Sequence, residues 1–316
     1  MYELKKNDKN ILITGGTGFI GSSFLIYSSG RNKGIHKNFF SKKLQYRIVA
    51  PSHKSLDIYN YKQLKNIFSV FKPQIVINFA AHRNANSAEL QRDNYDGSAW
   101  KTNVLGVQNL VKVCQEFDTY MIHISTDMVF SGHEKNPGPY HEDAKIEKNS
   151  ENLSWYGWTK AEGERMVSRT KNNAIIRIGN VTQPIYDPQL DYVGKILYLF
   201  DKGSLYPLFH NQYLTVTYIY SLFEVIESLI TNKKKGIFHV ASTNIFTPYV
   251  LAKYLIKKTR GKDHLVKRVS IAKYLKKWPN RYPKYCGLLS EKTQKQLGLS
   301  FHDWRKIVDI YIEKLE

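Results

Sequence analysis

The run Ile11-Leu12-Ile13-Thr14-Gly15-Gly16-Thr17-Gly18-Phe19-Ile20-Gly21 constrains the fold of this chain more than any other segment. Its three leading apolar residues suit a strand buried on both faces, and from Phe19 to Tyr27 apolar residues return at helical spacing. The glycines between have separate tasks. Gly15 permits a tight turn, Gly18 lets the backbone approach a phosphate, and Gly21 lets the new helix pack closely on the strand. Free N–H groups at a helix start then face the anion. A strand, turn and helix in this order predict a dinucleotide-binding βαβ unit, with Thr17, Phe19 and Ile20 in the phosphate turn.

The end of the next strand decides which dinucleotide fits. Tyr46-Arg47-Ile48-Val49-Ala50 reads as that strand, and Pro51-Ser52-His53-Lys54 follows it. An acidic residue there would hold the adenosine ribose hydroxyls and exclude a 2′-phosphate. None is present, and Ser52, His53 and Lys54 offer a hydroxyl and basic groups suited to a phosphate. The expected cofactor is NADPH, with NADH as the alternative. Ser28 to Lys43, before this strand, is polar and basic and reads as a surface insertion.

A second phrase, Tyr156-Gly157-Trp158-Thr159-Lys160, carries acid–base chemistry. Four residues apart on a helix, Tyr156 and Lys160 share a face. A free tyrosine has a pKa of about 10, and a neighbouring ammonium favours its phenolate, moving it toward working pH. Tyr156 can then protonate an oxygen whose carbon receives hydride. Upstream, Met121-Ile122-His123-Ile124-Ser125-Thr126-Asp127 is a buried-strand run ending in hydroxyls and a carboxylate. In a doubly wound sheet ligands sit beyond the carboxyl ends of the strands, so Thr126 is expected at the mouth of a site. There its hydroxyl can bond a substrate carbonyl or cap a following turn.

With these phrases in place, the chain resembles an extended short-chain dehydrogenase/reductase, and within that group the dTDP-4-dehydrorhamnose reductase family. The matching pieces run almost end to end: Thr14 to Gly21, Leu56-Asp57-Ile58, Pro73 to Ala81, Asn103 with Gly106 and Asn109-Leu110, and His123 to Gly132. Pro139 to Asp143, Tyr156 to Lys160, Gly236 to Val240 and Arg281 to Pro283 complete the series. Ser-Thr-Asp followed by Val-Phe and Gly is the most family-specific piece.

The resemblance implies reduction of the 4-keto group of a nucleotide-linked 6-deoxyhexulose, with hydride from NAD(P)H and the proton from Tyr156. It places Gly18, Phe19 and Ile20 on the pyrophosphate, Asp57 and Ile58 on the adenine side, Ala80 and Ala81 near the ribose, and Lys160 on the nicotinamide ribose. Thr126 and Tyr156 would flank the carbonyl. Three departures leave the sugar unassigned: Met128 where the family usually has tyrosine, Asn180 where it commonly has a tryptophan against the sugar, and a longer, more polar Asn84–Lys101 segment. Asp127 joins Asn180 as a substrate-side candidate. Two other outcomes stay open, a catalytically silent NADP-binding regulatory subunit and a nucleotide-sugar epimerase. A 4,6-dehydratase is disfavoured, because Met128 rather than glutamate follows Asp127.

Alternating strands and helices through residue 181 indicate an α/β fold of Rossmann type, a doubly wound parallel sheet with a smaller, interleaved C-terminal lobe. The expected dinucleotide core is 1–181 with 212–243 returning to it, and the substrate lobe is 182–211 with 244–316. Tyr192 to Phe200 and Tyr218 to Ile230 read as helices, and Gly236 to Ala241 as a strand. Cys114 and Cys286 form no CxxC pair, so neither a disulfide framework nor a zinc site is expected, and the ten histidines have no ligand spacing. Of those histidines only His82, after the Ala80-Ala81 turn, is placed near the cofactor.

Lys plus Arg number 47 against 27 for Asp plus Glu, a net charge of +20. The basic runs are short and no nucleic-acid module frames them, so they read as solvated lysines that also steer a nucleotide diphosphate inward. No specific nucleic-acid partner is expected. Arg281 is the candidate for direct contact with that diphosphate, because a guanidinium binds phosphate oxygens as a fork. With no apolar run of 18 or more, and with the polar, charged stretch Met1 to Lys9 at its start, the chain is expected in the cytoplasm without a membrane span. A homodimer is left open.

Overall fold

The computed structural model describes residues 9–30, 46–184 and 191–315, so the expected insertion at Ser28–Lys43 lies outside them beyond Gly30. Six strands form the central parallel sheet: β1 Lys9–Thr14, β2 Tyr46–Val49, β3 Ile75–Asn78, β4 Tyr120–Thr126, β5 Asn173–Ile178 and β6 Gly236–Val240. Their order is β2-β1-β3-β4-β5-β6. Ile11 pairs with Ile48 on one side and Ile75 on the other. The chain therefore reverses direction across the sheet between β1 and β3, and the carboxyl ends of these two strands form the switch point where dinucleotides bind in such folds.

The apolar runs produce this sheet because β3, β4 and β5 are buried along their whole lengths. Some of the polar side chains that enter the same layer are tied to one another. Thr14 Oγ1 donates to Asn78 Oδ1 at 2.7 Å, and Asn78 Nδ2 lies 3.0 Å from His123 Nδ1. Those pairs satisfy groups that would be costly to bury alone. The helices used below are α1 Phe19–Ser28, α2 Tyr61–Phe71, α3 Val107–Glu116, α4 Trp155–Val167, α5 Tyr192–Asp201, α6 Ile219–Asn232 and α7 Ile271–Lys277.

The chain forms two compact units. The first comprises the described parts of Met1–Ile124 with Thr159–Ile175 and Ile226–Gly236; the second takes Ser125–Trp158, Ile176–Val225 and Ile237–Glu316. These contact-based boundaries differ from the functional division expected above, with Ser125–Trp158 grouped in the second unit. Within the second unit, Val181–Thr182 pairs in parallel with Thr217–Tyr218, and Leu208–Phe209 with Arg268–Val269. Among the described residues no helix is long and apolar enough to cross a membrane.

Candidate active site

In the first unit, the turn after β1 is shaped by what its glycines lack. Gly15 has φ +71°, and a Cβ added there would stand 2.4 Å from Ala80 N; one on Gly16 would stand 2.8 Å from the Ala50 Cβ. The ends of β1, β2 and β3 thus converge with no room for side chains between them. Gly21 is equally tight, since its Cβ would meet Gly15 O at 2.3 Å. Gly18 N donates to Gly15 O at 3.0 Å, and Gly18 is the residue from which α1 starts. Thr17 and Gly18 are exposed and Phe19 and Ile20 half-buried. This backbone cradle at a helix start fits a pyrophosphate.

The other cofactor candidates surround that turn or follow β2. Ala80 N donates to Asn78 Oδ1 at 3.1 Å, and His82 N to Asn103 Oδ1 at 2.8 Å. Ala81 is half-buried between them. The His82 ring is held at both nitrogens, 2.8 Å from Ser87 Oγ and 3.2 Å from Ser98 Oγ, and burial lowers its pKa. Ser52 Oγ lies 3.1 Å from Ser55 Oγ, while His53 and Lys54 are exposed. Asp57 Oδ1 accepts from Tyr59 N at 2.9 Å, in the loop leading to α2. Ile58 is buried against Gly106, whose added Cβ would stand 2.6 Å from the isoleucine side chain.

α4 carries both Tyr156 and Lys160. Lys160 is 3% exposed and its Nζ donates to Ile124 O at 2.8 Å. Burial brings its pKa down to about 8, partly offset by the charge of Glu164. Asn103 reinforces this part of the first unit by donating from Nδ2 to Thr159 Oγ1 at 2.9 Å and to His82 O at 3.1 Å. In the second unit Gly157 decides where Tyr156 can stand. Its added Cβ would lie 2.2 Å from Met128 O, so the start of α4 closes directly on the turn Asp127–Val129. Ser154 Oγ accepts from Gly157 N at 3.1 Å and fixes that first turn.

The same Asp127–Val129 turn forms one wall of a cavity of about 760 Å³ that lies within the second unit. Thr126, Asp127, Met128 and Asn180 all line it. Thr126 Oγ1 donates to Asp127 Oδ1 at 3.1 Å and accepts from Met128 N at 3.3 Å, so it also caps the turn. Burial raises the Asp127 pKa, and donors from Cys286 and Thr126 hold the rise back. Asn180 adopts φ +46° and donates from Nδ2 to Thr215 O at 3.0 Å. Arg281 stands outside the lining set, with its guanidinium 5.8 Å from the Trp278 ring. The cations that do line the cavity are Lys273 and Lys277, one turn apart on α7.

Several residues here are absent from the sequence expectation. Tyr206 and Trp278, exposed by 55% and 47%, provide aromatic faces at the cavity surface, and Gln212 and Cys286 contribute polar lining. The Lys273/Lys277 spacing on a short helix was visible in sequence, whereas nothing local to Cys286 connects it to Asp127. Among the described residues no group of His, Cys, Asp and Glu could hold a metal.

The model of the RmlD substrate binding domain family matches residues 9–316. The dTDP-4-dehydrorhamnose reductase of Aggregatibacter actinomycetemcomitans is 29% identical over 311 residues, covering 94% of this chain and 96% of that one. Methionine adenosyltransferase 2 subunit beta of Xenopus laevis is 27% identical over 256 residues, covering 77% and 70% respectively. Among solved structures, dTDP-4-dehydrorhamnose reductase of Bacillus anthracis in complex with NADP shares the fold with a TM-score of 0.77, covering 97% of this chain and 99% of that one at 22% identity.

Proposed function

Since the chain belongs to the RmlD substrate binding domain family, we propose that it is an NADPH-dependent reductase of the 4-keto group of a nucleotide-linked 6-deoxyhexulose, with NADH as the weaker donor. One observation carries the chemistry: Gly157 lets the Tyr156 turn close on the Asp127–Val129 turn, immediately after Thr126 at the cavity wall. In this reading a proton donor and a second hydroxyl serve one ketone from neighbouring turns of the second unit.

Each residue has a distinct task in this reading. Gly15, Thr17, Gly18, Phe19 and Ile20 hold the pyrophosphate by backbone groups, and Ser52, His53 and Lys54 take the 2′-phosphate. Asp57 and Ile58 flank the adenine, while Ala80, Ala81 and His82 border the ribose. When bound, the dinucleotide supplies hydride. Tyr156 donates its proton to the ketone oxygen, and Thr126 donates a hydrogen bond to the same oxygen. Lys160 keeps its positive charge at neutral pH, because even its lowered pKa of about 8 leaves most of it protonated. On the substrate side, Lys273 and Lys277 suit a diphosphate, and Tyr206 and Trp278 offer faces for a base. Asp127 and Asn180 remain sugar-side candidates, and Arg281, beside the cavity residues Trp278 and Tyr274, remains a candidate for the diphosphate.

The test is a panel of nucleotide-linked 4-keto-6-deoxysugars offered with NADPH or NADH, following loss of absorbance from the reduced cofactor. Turnover is expected with at least one sugar, faster with NADPH; inertness toward the whole panel would remove the reading. Similarity to a protein that is a subunit of another enzyme keeps one other reading in view, a catalytically silent subunit. Turnover that depends on Tyr156 separates the two.

A further inference from the structure

We infer that Cys286 is a positioning residue for Thr126, acting through Asp127: its thiol holds the Asp127 carboxylate while the Thr126 hydroxyl turns from that carboxylate to the substrate oxygen. This rests on the ketoreductase reading. A hydroxyl has one proton to give. In the structure Thr126 Oγ1 gives it to Asp127 Oδ1 at 3.1 Å and accepts from Met128 N at 3.3 Å. Held so, it presents only lone pairs to a ketone, which needs a donor. Turning toward the ketone removes one donor from a carboxylate that is 5% exposed and is otherwise held by Cys286 and the backbone N–H groups of Asp127 and Met128, and a buried acceptor that loses a donor is costly.

Cys286 lowers that cost. Its Sγ–H donates to Asp127 Oδ2 at 3.2 Å, on the carboxylate oxygen that Thr126 does not use. Burial, and then the charge of Asp127, keep the thiol pKa well above its usual value, so the group retains the proton it donates. On another side of the carboxylate a Cβ at Gly179 would stand 2.5 Å from Oδ2, leaving no space for any side chain there. Thr126, Asp127, Gly179 and Cys286 all line the cavity, so this arrangement faces the position a sugar would take. The thiol thus has a role that packing alone would not require: it stays on the carboxylate when the threonine leaves.

A double-mutant cycle tests this. Cys286→Ala should lower kcat about three- to tenfold, the worth of one hydrogen bond, with KM little changed. In a Thr126→Val background the same change should cost almost nothing further, because no hydroxyl remains to be released. Cys286→Ser, which keeps a donor, should restore most of the rate. The infrared S–H stretching band of Cys286 should rise in frequency in Asp127→Asn as the thiol loses its charged acceptor. Equal losses from Cys286→Ala in both backgrounds, a folded Cys286→Ser as impaired as the alanine variant, or an S–H band unmoved by Asp127→Asn would overturn the inference while wild-type turnover stands. Absence of wild-type turnover on the sugar panel would instead overturn the reductase reading and this inference with it.

Discussion

The glycine cradle of the first unit and the cavity of the second are built by opposite means. The cradle is made of backbone: Gly15, Gly16 and Gly21 are required because a Cβ at each would lie under 3 Å from a neighbouring atom. The cavity is made of side chains drawn from widely separated places, from Thr126 to Cys286, with aromatic, cationic and apolar walls. A backbone site admits few alternatives and takes a ligand part common to many enzymes, whereas a side-chain site can be altered one residue at a time. In the proposed reading the dinucleotide belongs to the first kind of construction, and the identity of the sugar to the second.

The sharpest way to break that contrast is Tyr156→Phe. Loss of a general acid costs about 10²- to 10⁴-fold in rate, so kcat should collapse while the NADPH dissociation constant, set by the cradle, stays nearly unchanged. A folded variant that reduces a 4-ketosugar at the parent rate would refute the catalytic assignment. Next in size is Gly15→Ala. The left-handed φ of +71° and the 2.4 Å approach to Ala80 N leave the methyl group no site, so NADPH binding should fall steeply and the melting temperature drop. Binding of a nucleoside diphosphate to the second unit, followed by calorimetry, should survive, and its parallel loss would deny that the two constructions are separable.

Lys160→Met gives a smaller effect with a definite sign. The folded chain holds this ammonium at about 8 against an ordinary 10.5, so between those values the unfolded chain binds the proton more often. Stability of the cofactor-free protein should therefore rise with pH across that window. Below it the buried charge costs up to about 3 kcal/mol, at about 1.4 kcal/mol per pKa unit. Urea unfolding at about pH 7.5 and about pH 9.5 should reveal the rise in the parent and its absence in the methionine variant. Smallest is the pair His53→Ala and Lys54→Ala: two exposed groups should weaken NADPH a few-fold and leave NADH unaffected. A preference for NADH in the parent protein, unmoved by these changes, would show that the end of β2 does not choose the cofactor.

Sequence legibility followed the same division. The cradle was readable because its requirements are local: glycine where a β-carbon has no room, an apolar run where a strand is buried on both faces. For the same reason the helix expected at Tyr218–Ile230 lies at Ile219–Asn232, and the strand at Gly236–Ala241 lies at Gly236–Val240. Thr126 was readable from its place at the end of a buried run. The cavity was not, since no periodicity links Asp127 to Cys286 or foretells that Lys273 and Lys277, rather than Arg281, line it. Those relations arise only when strand ends and the C-terminal segment are brought together by the fold.

Trp278 gives the cavity an optical reporter. Of the five tryptophans, Trp155 and Trp304 are buried and Trp100 and Trp158 half-buried, while Trp278 lines the cavity with 47% of its surface open to water and Lys277 Nζ 5.4 Å from the centre of its ring. Its emission is therefore the part of the protein's tryptophan fluorescence most accessible to a dissolved quencher such as acrylamide. A nucleotide base settling on that ring would shield it and draw the lysine away, so occupancy of the sugar-nucleotide side can be followed by light in the absence of any turnover, with Trp278→Phe as the dark control.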